Sequence, residues 1–332
     1  MYRPASLVFI FLASTCLALP VMAQQYATQV EQTRQTFNSQ ASNGGQTFAY
    51  TYNTALGETR TLTFRLNAED IARGGAEFKP WNNAQARSTA VAAAQARAAQ
   101  LERKNLKATI SPLPNGMNVR ISGYDVKPDG PEVKNLNKEI SLAYDITVKN
   151  FAKENLYRAI STGPNTTSIM PDHPAIVTRY VNAMRPVAKA IREQVPGAAD
   201  GPREFINAAM NWLQTIPYDR LDDRATSNGA GFQTPYGLIQ GNSGDCDTKA
   251  TALAALIRSI YPTIPLAIVY VPEHAFLAIG LPQSQNDFAL RTQNGTYILA
   301  DATGPALAPL GYIDAKTQAR TGGAKTEILP VP

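Results

Sequence analysis

The sequence predicts an α+β protein: an N-terminal α+β module followed by a C-terminal module in which helices pack on an antiparallel sheet. Three observations carry this. Alternating aromatic strands and an alanine-rich helix share residues 46–160, apolar helical stripes crowd 175–260, and short β-branched strands follow up to Asp301. With 332 residues, 44% of them hydrophobic and 17% charged, the chain can bury cores for about two domains, which excludes wholesale disorder.

The first residues, MYRPASLVFIFLASTCLALPVMAQQ, place one basic residue, Arg3, ahead of an apolar run from Leu7 to Leu19. This is the pattern of a Sec-type secretory signal peptide, residues 1–23, with Val21-Met22-Ala23 as the cleavage site. The run is shorter than the ~20 residues a spanning helix needs, and no later run is longer. The expectation is therefore a periplasmic or secreted protein cut after Ala23, with no membrane-spanning segment after cleavage. A lipoprotein anchored through Cys16 is the second reading, because Ser14-Thr15 matches a lipobox poorly. Cleavage leaves Cys246 as the only cysteine, so no internal disulfide forms. The net charge of +5 is scattered rather than gathered in a stripe, which argues against a nucleic-acid partner.

Each element follows from a local pattern. Residues 24–45 are rich in Gln, Ser and Asn and read as a flexible N-terminal arm. Phe48, Tyr50 and Tyr52, then Leu62, Phe64 and Leu66, alternate as two strands of a hairpin around Leu56-Gly57. Asn82 to Asn105 holds nine alanines without Gly or Pro and predicts a helix. Residues 106–111 and 117–124 predict strands around Pro114-Asn115-Gly116, and Ile140, Leu142, Tyr144, Ile146 and Val148 predict one more. These form an accessory domain over 46–160 with no titratable cluster that suggests chemistry. Ser161 to Pro174 is rich in turn formers and reads as a linker (161–174), leaving 175–332 as the chemical domain. There Ile176, Tyr180, Met184, Val187 and Ile191 mark one helix, with Pro186 as a kink, and Pro202 opens a second. Asn165 and Asn294 head Asn-x-Thr triplets, which are weak matches on their own.

The stretch GNSGDCDTKA carries the chemical signal. A helix is predicted from Asp247 to Ile260, so Cys246 stands at its N-terminus, where the helix dipole favours a thiolate. Asp245 and Asp247 oppose that charge unless they turn to cap the helix. Then come the strand IPLAIVYV, a strand opened by His274, and Gly295 to Ala300, which ends on Asp301. If these strands lie side by side, thiol, imidazole and carboxylate meet at one end of the sheet. The imidazole would move the thiol proton and the carboxylate would orient the ring. The commoner fate of a free cysteine is a small buried hydrophobe, and His274 alone would more often be structural; the order Cys, His, Asp is what favours catalysis. His173, in the loop MPDHP, reads as a surface histidine.

Other chemistries find no support. One cysteine and two distant histidines offer no zinc-ligand pair, and neither a phosphate loop, a dinucleotide fingerprint nor a calcium loop occurs. No cofactor and no metal are expected.

The segments WLQTIPY (212–218), Thr234-Pro235-Tyr236, Gly244-Asp245-Cys246-Asp247, His-Ala-Phe-Leu and Ile-Leu-Ala-Asp-Ala-Thr resemble the transglutaminase-like superfamily over about residues 175–312. The resemblance implies a papain-like or transglutaminase-like core with Cys246 as nucleophile, His274 as general base and acid, and Asp301 as the orienting carboxylate. The backbone N–H of Cys246 would be one oxyanion donor, with Gln233 or Tyr236 as candidates for the second. Thr248-Lys249 and Asp301-Ala302-Thr303 depart from the commoner acidic residue after Cys-Asp and from Asp-Pro-Thr. The implied activity is a cysteine-dependent amide hydrolase (protease or amidase) or acyltransferase, working through a thioester on protein or peptide substrates of the cell envelope. The alternatives are a catalytically silent binding or scaffold protein of the envelope, and a peptidase with a Cys-His-His site in which another residue replaces Asp301. The sequence does not fix the oligomeric state.

Overall fold

The computed structural model describes residues 35–332 except 43, 77, 115, 164, 165, 196, 198–200, 223–230 and 294. The signal peptide, Cys16, the first part of the arm, Asn165 and Asn294 lie outside the described residues. The architecture is mixed α+β, with antiparallel sheets that include a curled five-strand half-barrel. The described residues form two compact units, one drawn from 35–76, 173–222 and 231–332, the other from 78–172.

The smaller unit is built on two helices, α2 (Asn83–Leu101) and α3 (Pro131–Glu154), with hairpins β4 (Leu106–Leu113) to β5 (Gly116–Gly123) and β6 (Tyr157–Gly163) to β7 (Thr166–Pro171). The alanine-rich helix forms as expected, capped by the Asn82 side chain. Its small residues Ala94 and Ala98 let Leu136 and Ile140 of α3 pack close. The strand expected through Ile140 to Val148 is instead the middle of α3. Leu136, Ile140 and Tyr144 recur every fourth residue and serve the core, whereas Leu142 and Ile146, their partners in the alternating pattern, are exposed. Gly130-Pro131 starts this helix, with Pro in its first turn.

In the larger unit the first described strands belong with the C-terminal half. Within the expected arm, Thr36–Ser42 is strand β1, paired antiparallel with β2 (Gly45–Asn53), which pairs in turn with β3 (Thr59–Asn67). Phe37 is what its polar composition concealed: the ring lies 4.9 Å from Tyr50. Helix α1 (Ala68–Ala76) follows β3. On the inner face of this sheet, Tyr50 and Phe64 meet Trp212 of α5 (Gly201–Thr215) edge-on at 5.3 and 6.1 Å. That fully buried indole explains why residues 46–67 pack with the C-terminal half and not within the 46–160 domain that their position in the chain suggested. The expected linker is likewise structured: the end of β6 and all of β7 fall within it, and α4 (His173–Glu193) begins at its end and runs through Pro186.

The half-barrel positions the chemistry. Its strand order is β10-β11-β9-β8-β12, from β8 (Leu266–Val271), β9 (His274–Ile279), β10 (Ala289–Thr292), β11 (Gly295–Ala300) and β12 (Glu327–Val331). One face buries Val269, Phe276 and Leu299, and the alternate residues Ile268, Leu277 and Ile298 are buried too, so the sheet is covered on both sides. Helix α7 (Cys246–Ile260) packs against α4 and lies along β9, preceded by the short α6 (Pro235–Gly241), while α8 (Ala315–Arg320) comes before β12. Because β9 and β11 are antiparallel, the start of one and the end of the other share an end of the sheet. No helix among the described residues is long and apolar enough to cross a membrane.

Candidate active site

Cys246 is the first residue of α7, half-buried and free. Asp245 is the N-cap: its Oδ1 accepts the Thr248 amide at 3.1 Å, and Asp247 Oδ1 accepts the same amide at 2.9 Å. The two carboxylates therefore turn towards the backbone of the first turn, as the sequence suggested. Gly244 leaves no room for a side chain, since a Cβ there would lie 2.8 Å from the Thr248 methyl. Its backbone forms a parallel bridge with Tyr218.

His274 opens β9 directly after a two-residue turn. Pro272 takes the first turn position, and Glu273 the second in a left-handed conformation, φ 64°. Asp301 stands one residue beyond β11. His274 Nε2 and Asp301 Oδ2 are 2.7 Å apart, and the Thr303 amide donates to Asp301 Oδ1 at 2.9 Å, so both carboxylate oxygens are held. With Nε2 taken, Nδ1 is the ring nitrogen left over, and Cys246 is near enough to favour the charged imidazole. Burial alone would push His274 down, but the hydrogen bonds and charges of Asp301 and Cys246 outweigh it and raise the imidazole to about 10. Asp301 is likewise opposed by burial yet held below the ordinary carboxylate range by His274 and Thr303. The three expected residues thus meet at one end of the sheet. A Cys-His-His site would need another orienter for His274, and Asp301 is the residue in contact with that ring.

The segment containing Gln214 and Tyr218 frames the site from below. Gln214 is buried; its Nε2 donates to the Asp301 carbonyl at 2.7 Å and to the Ala308 carbonyl at 3.0 Å. It fixes the loop that carries the carboxylate. Tyr218 is half exposed, and its hydroxyl is pushed up by burial and by the charges of Cys246, Asp245 and Asp247. A phenol therefore stands beside Cys246, at a position legible in the sequence only as part of a motif. Beside His274 and Asp301 opens a cleft of about 380 Å³, lined also by Thr303, Gly304 and Tyr312.

Both expected oxyanion donors are already engaged. In the orientation that satisfies its neighbours, the Gln233 amide nitrogen donates to the carbonyls of Ser243 at 3.1 Å and Gly237 at 3.2 Å. The Tyr236 hydroxyl accepts from Gln240 Nε2 at 2.6 Å, and its buried ring covers Gly74. Burial holds that phenol near 12.

Two buried groups were not legible as neighbours of Cys246. His173, expected at the surface, is fully buried at the start of α4. Its Nδ1 lies 2.5 Å from the Tyr270 hydroxyl, its ring packs edge-on against Phe232 at 4.6 Å, and its Nε2 is 3.2 Å from Asp247 Oδ2. This last contact lacks good hydrogen-bond alignment, and Nε2 has no other partner among the described residues. Burial opposes the Asp247 charge, but His173 holds that carboxyl low, while burial and Asp247 push Asp245 up to about 8. Lys249 is the second buried group: its Nζ donates to the carbonyls of Ile216 and Thr303, both at 2.6 Å.

Among the described residues no group of three or more His, Cys, Asp or Glu could hold a metal ion. In comparisons with known proteins, no family model, no curated protein and no solved structure matches this chain.

Proposed function

We propose that this chain is an exported, transglutaminase-like cysteine hydrolase, a protease or amidase, or an acyltransferase of the same chemistry, acting on amide bonds in cell-envelope proteins or peptides. The observation that carries the reading is the His274–Asp301 contact beside an open cleft, with Cys246 at a helix N-terminus and near enough to bias the imidazole's charge. The antiparallel half-barrel with Cys246 on a helix packed against it supports the papain-like or transglutaminase-like core.

In this reading the Cys246 proton resides on His274 and the sulfur attacks the carbonyl carbon. As the tetrahedral oxyanion collapses, the C–N bond breaks and His274 returns the proton to the departing amine. The thioester is then resolved by water, which gives an acid and restores the thiol, or by a second amine, which gives a new amide. Asp301 holds the imidazole in its charged form and in one orientation, and the Cys246 amide at the helix start is the first oxyanion donor.

The test is the rate at which iodoacetamide alkylates Cys246 in the mature protein and in His274→Ala. The expected result is rapid alkylation at pH 7 that falls at least tenfold in the variant, with hydrolysis of a peptide library abolished by Cys246→Ala. Slow alkylation indifferent to His274 would overturn the reading and leave the silent binding protein in its place.

A further inference from the structure

The feature the mechanism leaves unused is Lys249. Its side chain is wholly buried one helical turn after the nucleophile, where an ammonium is costly to keep. Its two hydrogen bonds go to two different loops. Ile216 leads through Pro217 into Tyr218, whose backbone bridges Gly244, and the Gly244 amide donates to the Pro217 carbonyl at 3.2 Å. Thr303 is the residue whose amide holds Asp301. One amino group therefore ties the helix carrying Cys246 to the segment behind Gly244 and to the loop that sets the orienting carboxylate.

We propose that Lys249 is a positioning residue for the Cys246–His274–Asp301 site, holding the nucleophile helix and the carboxylate loop at their working separation and placing positive charge beneath both. The proposal rests on the reading of Cys246 as nucleophile. The charged groups facing the ammonium are Asp301 from the end of β11 and Asp245 and Cys246 from the start of its own helix. All three favour its charged form, while burial opposes it more strongly and brings Lys249 down to about 7. An ordinary packing role asks for no cation here, since a methionine has similar length and no desolvation cost. What methionine lacks is the reach to both carbonyls and the charge.

The experiment compares iodoacetamide alkylation of Cys246 from pH 5 to 10 in the wild type, Lys249→Met, Lys249→Gln and His274→Ala, with circular dichroism of each. Lys249→Met is expected to keep the wild-type spectrum and to alkylate about tenfold more slowly at pH 7, with the gap narrowing towards pH 10. Lys249→Gln, which keeps donors without charge, should fall between the two. A folded Lys249→Met protein whose profile overlays the wild type would overturn the inference, as would failure of both Lys249 variants to fold, which assigns the residue to packing. If the wild type itself is slow and His274→Ala changes nothing, it is the nucleophile reading that fails. With a fast wild type and a slow His274→Ala, that reading stands and the Lys249 variants alone decide the positioning role.

Discussion

The described residues include two histidine–aspartate pairs, one with its aspartate next to Cys246 in the chain and one across the sheet end, and they differ in almost everything but composition. His274 and Asp301 meet at 2.7 Å, each with part of its side chain open to a cleft. His173 and Asp247 sit at 3.2 Å, with the ring sealed by Phe232 and Tyr270. In the open pair both carboxylate oxygens serve the ring and its loop, and the imidazole's other nitrogen is left for the thiol. In the sealed pair the imidazole has given its other nitrogen to a tyrosine. A histidine beside a carboxylate is thus an ordinary structural device; access to substrate and a free second nitrogen turn it into a site.

The contrast breaks most easily at the carboxylates. Asp301→Asn removes the charge that holds the imidazolium and should lower Cys246 alkylation about a hundredfold or more, as loss of an orienting carboxylate does in comparable triads. Asp247→Asn should leave that rate within about threefold, because the sealed pair supports the helix start and not the ring of His274. Equal losses in the two variants would show that the sealed pair works in the chemistry as well. Rates in matched buffers at pH 7 decide it.

The histidines themselves should separate by stability in the reverse order. His173→Ala empties a fully enclosed space and strands the Asp247 carboxylate, a loss of about 3 kcal/mol or more in urea unfolding. His274→Ala should cost less, and its cost should depend on pH. The folded imidazole is raised to about 10 from an ordinary 6.5, so its stabilisation is complete below about 6.5 and is lost as pH climbs to about 10. The gap between wild type and His274→Ala should accordingly shrink from pH 6 to pH 10.

Why one pair was legible in the sequence and the other was not has a physical basis. Cys246, His274 and Asp301 each sit at the terminus of a regular element, so apolar periodicity located them and antiparallel pairing brought them together. His173 and Asp247 are joined only by the packing of α4 against α7, which no local pattern encodes, and MPDHP has the composition of an exposed loop. Lys249 was hidden for the same reason: a lysine three residues into a helix reads as solvated until Ile216 and Thr303 close around it. Helix α3 failed differently. Its apolar residues alternate as in a strand, and only the burial of every fourth residue shows which period the core uses. The hairpin β2–β3 was clear locally, yet its partner Trp212 lies far along the chain, so the domain to which it belongs was not.

The smallest expected effect concerns the turns that deliver the two histidines. His173 begins a helix after an extended segment, but His274 is preceded by Glu273 at φ 64°, a conformation that costs a residue with a side chain about 1–3 kcal/mol. The compensating contact, Glu273 Oε2 to Arg320 Nη2 at 3.2 Å, joins a largely exposed carboxylate to its partner and is worth well under that strain. Glycine occupies the left-handed region freely but loses more chain entropy on folding, which offsets about 0.5–1 kcal/mol. Glu273→Gly should therefore stabilise the fold by about 1 kcal/mol, read as a higher urea midpoint at unchanged slope. A lower midpoint would mean that the Arg320 contact outweighs the backbone term and that the open pair rests on a relaxed turn, like the sealed one.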